Sequence, residues 1–249
     1  MSGEGASDPL ALSIELLGEA RSLGGGGESE RMRRLAAALD RVDPTGIEGD
    51  AGRIAFWLNA YNGLLLHEAS RHPRRGSLLR HRRMFRTVAY RVGGHDYPLD
   101  VIEHGVLRRN RRPPLSPRRL LGRRDPRLAA LPSRLDPRIH FALNCGARSC
   151  PAIRTFSEGL DEALRLATRA YLGSEVEIDR GARTVTLPGL IKLYRRDFGS
   201  RAEQLELVAA HLGEANAGWL RGHGGEVEVR YSRFDWSLVE DPGGAVERP

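Results

Sequence analysis

The segment Arg53–Ser70 constrains this chain more than any other. At about 100° per residue, Phe56, Gly63 and Leu66 fall on one side of a helix and Trp57, Tyr61, Leu64 and Leu65 on the other. A helix that is apolar all round has to be buried all round. Membrane burial is excluded, because no apolar run reaches the roughly 18–20 residues that a span needs. The helix must therefore be the centre of a protein core, and a chain of 249 residues is long enough to build one around it. It carries Asn59, Asn62 and His67 into that core, and each buried amide has to find a hydrogen-bond partner there.

The rest of the chain supplies the cover. Leu10–Leu23 reads as a short helix, followed by the glycine run Gly24–Gly27, and Arg31–Val42 is an amphipathic helix. Phe85–Leu99 alternates as a hairpin around Gly93-Gly94, and Glu175–Ile178 with Arg183–Leu187 forms a second. Asp100, with Glu103 three residues on, has capping-box spacing for a helix running to Arg109. Arg138–Asn144 reads as a short apolar strand, and Ser157 as the cap of a helix to Leu172. Helices follow near Leu190–Arg196 and Ala202–Leu212, then a strand at Glu226–Tyr231. Helices and hairpins interleave without βαβ spacing. This predicts a single α+β domain, its buried central helix packed on a mainly antiparallel sheet. The expected division is an N-terminal segment and linker (1–29), a domain (30–240) containing a Pro/Arg-rich loop (110–136), and a flexible tail (241–249).

Charge is local. The formal net charge is +7, yet residues 71–134 alone hold 18 arginines against four acids, which leaves the remainder acidic. The stretch Arg108–Arg127 could hold an acidic partner, but it lacks interleaved aromatics and any nucleic-acid-binding motif. Met1–Ala20 carries Glu4, Asp8 and Glu15 where a signal peptide would be basic and then apolar, so a cytoplasmic chain is expected. Cys145 and Cys150 are the two cysteines, expected as free thiols in that compartment.

Chemistry concentrates in Ile139–Pro151, where His140, Asn144, Cys145, Ser149 and Cys150 lie within a dozen residues. A thiolate nucleophile needs a neighbouring base to lower its pKa from about 8.5. Strand alternation places His140 and Cys145 on opposite faces, so the chain must kink or the base must come from His67 or His104. Asn59 and Asn62 either tie the helix to neighbouring backbone, or orient an active-site imidazole or donate to an oxyanion. Glu103 is explained by capping alone, and Asp235 is a polar residue between Phe234 and Trp236. The same side chains admit a metal reading, although the Cys145–Cys150 spacing only just fits a zinc ligand pair.

Five motifs in order carry a family resemblance: Phe56–Asn62, Ile102-Glu103-His104 with Leu107-Arg108, His140–Pro151, Asp197-Phe198 and Phe234-Asp235-Trp236. Together they resemble the DUF547 family, a domain of unknown function, over roughly residues 31–240. A more distant likeness is to papain-like and transglutaminase-like enzymes, which place a cysteine at the start of a buried helix, then a histidine on a strand, then an acid or amide. Here the helix offers Asn59 instead of cysteine. The likeness implies either that the thiol comes from Cys145 or Cys150, or that the chain binds without catalysing. The leading expectation is a thiol-dependent hydrolase or acyltransferase acting on an amide, ester or thioester. Its nucleophile is Cys145 with Cys150 in reserve, its base His140 or His104, its orienter Asp235 or Glu103, and its oxyanion donor Asn59. Asn62, Asn144, Ser149, Cys150 and Arg108 would contact a small-molecule or peptide substrate. No cofactor is called for. The alternatives are a scaffold domain whose basic loop grips an acidic partner, and a Cys/His metal protein.

Overall fold

The computed structural model describes residues 8–24, 27–72, 74–114 and 116–239. The expected 241–249 tail and part of the Gly24–Gly27 run lie outside them. Helix α1 (Pro9–Ser22) starts where Asp8 accepts the amides of Leu10 and Ala11, with Pro9 in the first turn. Then come α2 (Glu30–Leu39) and the central α3 (Gly49–Arg71). Two one-turn helices, α4 (Leu78–His81) and α5 (Met84–Thr87), lead into a hairpin of β1 (Ala89–Val92) and β2 (His95–Pro98). The second half contains α6 (Leu160–Glu175), β3 (Glu177–Asp179) and β4 (Thr184–Leu187). It continues with α7 (Gly189–Leu193), α8 (Arg195–Phe198), α9 (Arg201–His211), α10 (Glu214–His223) and β5 (Glu228–Tyr231).

The fold is α+β, and α3 is buried on every side from Ile54 to Glu68, as its composition demands. Its cover differs from the expected sheet. α1 lies along it, placing Leu12, Leu16, Leu17 and Ala20 in the same core. The helices approach so closely at Gly63 that a Cβ there would run into the Leu16 side chain. Strands form two small sheets, the antiparallel β1–β2 pair and a β3–β4–β5 sheet in which β4 and β5 run parallel.

Two clusters of buried side chains result. The first gathers α1–α3 and the hairpin, and the second gathers β4, β5 and α7–α10. Residues 139–142 join them: Ile139 and Ala142 belong to the first cluster and Phe141 to the second. This segment is not the strand expected over Arg138–Asn144. Asp136 accepts the amide of Arg138 and Pro137 fixes the first φ, so Pro137–Phe141 winds into a 3-10 helix. A short apolar run carries no period that separates the two outcomes.

Three further expectations are corrected. The helix expected at Ser157 starts at Leu160, after Gly159 in a left-handed conformation at φ 78°. Asp100 makes no side-chain cap, and Val101–Leu107 is a π-helix, in which the Arg108 amide reaches the Glu103 carbonyl at 2.8 Å. The Pro/Arg-rich 110–136 segment is tethered rather than loose. Asn110 exchanges side-chain hydrogen bonds with the Leu121 backbone, and Ser133 holds Asp50.

Candidate active site

The π-helix, the 3-10 helix and α7–α8 converge on one group of buried ionisable side chains. Asp197, at the end of α8, is fully buried and accepts from three donors. Arg108 Nε donates to its Oδ2 at 2.5 Å, His140 Nε2 to the same oxygen at 2.9 Å, and Arg111 Nη1 to Oδ1 at 3.0 Å. Burial alone would raise this carboxyl. The bonds from His140 and Arg108 outweigh it and hold Asp197 far below the usual carboxylate range. Asp197 is therefore ionised near neutral pH.

Arg108 also turns Nη1 onto His104 Nδ1 at 2.9 Å. A guanidinium can only donate, so Nδ1 of His104 is the acceptor and its proton sits on Nε2. The ionised Asp197 can only accept, so His140 carries its proton on Nε2 and leaves Nδ1 bare. Arg108 thus fixes the His104 ring, and Asp197, which Arg108 also holds, fixes the His140 ring. Burial lowers both histidines from 6.5, so both are neutral near neutral pH. His140 is stacked on Tyr194, with ring centres 3.9 Å apart, and the Arg108 guanidinium lies 4.9 Å from the same ring.

Glu103 is buried beneath the pair. Tyr194 donates to Oε1 at 2.6 Å and Tyr61 to Oε2 at 3.4 Å. Burial pushes Glu103 up, but the nearby imidazoles, Tyr194 and Arg108 together bring it below its ordinary value. Both phenols are pushed well above theirs by burial and by the Glu103 charge, so they remain donors. Glu103 is not a helix cap.

A cavity of about 420 Å³ opens on this group and is lined by His140, His104, Glu103, Tyr61, Cys145 and Cys150, among others. Among the described residues, His140 Nδ1 makes no hydrogen bond, and it is not one of the buried unpartnered atoms. Nδ1 is therefore the ring atom open to a ligand. The site presents a bare nitrogen from His140 and an N–H from His104.

Several expected site residues have other duties. Cys145 and Cys150 are not free thiols; they form a disulfide with Cα atoms 6.3 Å apart, so neither is a thiolate in this state. The turn Cys145–Cys150 folds back on itself, bringing the two side chains together. Asn59 donates its two amide hydrogens to the Phe156 carbonyl at 2.7 Å and to Ser13 Oγ at 3.2 Å, and accepts the Phe156 N–H at 2.9 Å, so both donors are already engaged. Asn62 and Asn144 are likewise consumed: Asn62 braces Ala142 and Asn144, while Asn144 holds Pro151 and Gly146. The Ser149 hydroxyl accepts the Asp235 amide. Asp235 itself is half exposed near Arg148 and, among the described residues, bonds no histidine; the carboxylate bonded to His140 is Asp197. Arg108 is 3% exposed, with its guanidinium on His104 and on Asp197. His67 is bonded to Tyr90 and does not line the cavity.

The basic stretch turns partly inward as well, with Arg108 and Arg111 on Asp197, Arg119 on the Asn110 carbonyl and Arg127 on Asp125. Among the described residues, no group of three or more His, Cys, Asp or Glu side chains is placed to hold a metal ion. Sequence reasoning assigned no role to Tyr194 or Asp197. The signal for Asp197 was its place in the Asp197-Phe198 motif.

Among the described residues, no helix is long and apolar enough to cross a membrane. No curated protein and no solved structure matches the chain, so the papain-like and transglutaminase-like likeness gains no support. A family model described as "Protein of unknown function, DUF547" matches residues 47–172, which hold Glu103, His104, Arg108 and His140 but not Tyr194 or Asp197. That match spans half of the chain, which belongs to the DUF547 family.

Proposed function

We propose that this protein is a hydrolase or acyltransferase for an amide, ester or thioester, working by general acid–base chemistry from two neutral histidines. The observation that carries the reading is the Asp197–Arg108 pair, which leaves His140 with a bare nitrogen and His104 with an N–H at one cavity. In the reaction, His140 Nδ1 takes a proton from water, or from an acceptor hydroxyl or thiol, as that oxygen or sulfur bonds to the acyl carbon. The carbonyl oxygen becomes an oxyanion and accepts from His104 Nε2–H. Collapse expels the leaving group, which takes the proton back from His140. Asp197 keeps the ring in the right tautomer and stabilises the imidazolium that forms.

Assay of the full chain against p-nitrophenyl esters, acyl thioesters and peptide amides tests this reading. His140→Gln should lower turnover by about 10²–10⁴-fold, the usual worth of a positioned base. Turnover that is unchanged in His140→Gln, or no turnover with any of the three classes, contradicts it.

One observation favours a second route. Both cysteines line the same cavity as His140, so opening their disulfide in a reducing compartment would place a thiol beside the base. Iodoacetamide should then label Cys145 near neutral pH only after reduction, with loss of turnover. Full activity after labelling removes the thiol from the reaction.

A further inference from the structure

We infer that the substrate is an amphiphilic anion: an acyl group with an apolar body and a carboxylate or phosphate, held by Arg82 and Arg83 at the mouth of the cavity. The inference rests on the cavity being the working site, and it adds what the cavity selects. Three observations carry it.

The first is the charge at the mouth. Arg82 and Arg83 form the short link between α4 and α5; both are exposed and both line the cavity. Among the described residues neither side chain makes a hydrogen bond or an ion pair, in a chain where most charged groups near the site are matched. The third arginine of the lining, Arg86, reaches Asp100 at 3.3 Å and is thereby neutralised. The other acid in the lining, Glu103, is buried below and held by two phenols. The mouth therefore carries two uncompensated positive charges, and two guanidiniums side by side suit a carboxylate or phosphate.

The second is the wall. Leu78, Phe85, Leu143, Leu190, Phe234 and Trp236 line the same cavity as the arginines and the histidines. Such a surface gains from covering a hydrocarbon body and gives nothing to a sugar or a polar peptide. Leu79, 45% exposed, extends this apolar surface out to the mouth beside the arginines. The third is size. About 420 Å³ falls within the range of roughly 300–1,000 Å³ that small-molecule sites occupy, and is too small for a folded partner.

The test is calorimetric binding of three eight-carbon probes to the full chain: octanoate, octyl phosphate and 1-octanol. Whichever anion binds tighter identifies the headgroup, and either should bind at least tenfold tighter than the alcohol. Arg82→Ala/Arg83→Ala should remove most of that preference while leaving 1-octanol affinity within about twofold, which also shows that the cavity is still folded. His140→Gln should bind the anions as the wild type does, because binding does not need the base. Anion binding without turnover of any acyl substrate would defeat the catalytic reading and leave this one standing. Equal affinity for alcohol and anions, no binding of either anion, or an anion preference that survives the double arginine variant overturns the inference.

Discussion

Two buried histidines, 73 residues apart in sequence, sit in outwardly similar surroundings and differ in what they can do. His67, on α3, is 6% exposed and bonded through Nδ1 to the Tyr90 hydroxyl at 2.8 Å. His140 is 2% exposed and stacked on Tyr194. Burial lowers the pKa of both. Yet, among the described residues, His67 Nε2 is buried without a hydrogen bond, 3.6 Å from Glu28, and His67 does not line the cavity that His140 lines. His140 has an ionised carboxylate on one nitrogen and an open cavity at the other. A perturbed pKa marks a buried group. A fixed tautomer with a free, accessible nitrogen marks a candidate for chemistry.

The largest expected difference between the two regions is in stability. Asp197→Ala leaves the Arg108 guanidinium buried without its partner and should cost about 3–5 kcal/mol in urea unfolding. His67→Phe strands only the Tyr90 hydroxyl and should cost about 1–3 kcal/mol. If Asp197→Ala proves the milder change, the Asp197–Arg108 pair is not the keystone described above.

A smaller effect lies in the pH dependence, where the two regions share one trend and divide on another. Each histidine is lowered from 6.5, so between that value and its folded value the unfolded chain binds more protons. Stability should therefore fall as pH drops below 6.5, by about 1.4 kcal/mol for each unit that a histidine is lowered. His67→Phe should make that slope shallower. Asp197 acts in a second, acidic window. Its stabilisation is fully present above the ordinary carboxylate value of 3.8 and is lost as pH falls from there towards the lowered folded value. Asp197→Asn should shrink that second loss without removing it, because Glu103 and Asp50 are also held below their ordinary values, whereas His67→Phe should leave it unchanged. Chemical denaturation from pH 8 to pH 3 reads both windows.

What the sequence disclosed follows from the range of the interactions involved. The central helix and both hairpins were legible because their apolar periods are local, and Gly93-Gly94 marks its turn directly. The site's raw materials were legible too, since Glu103, His104, Arg108 and His140 all fall in recognisable motifs. Their roles were not. Asp197 orients His140 from 57 residues away, and no spacing rule reaches that far. Glu103 read as a cap because Asp100 precedes it by three, whereas the π-helix spends Glu103 on two tyrosines. The conflict between His140 and Cys145 on opposite strand faces dissolved with the strand itself, replaced by the Asp136-Pro137 start of a 3-10 helix. Cys145 and Cys150 read as free thiols because a reducing compartment was expected, whereas the turn between them brings their sulfurs into a disulfide.

The central claim is that one arginine and one aspartate hold His140 and His104 as neutral rings with complementary faces. Nitrogen-15 spectra of the histidine side chains, assigned with His140→Gln and His104→Gln, test it directly. Near neutral pH both rings should be neutral with the proton on Nε2, and Asp197→Asn should release His140 from that single form. A charged His140, or one protonated on Nδ1 in the native protein, would contradict the account.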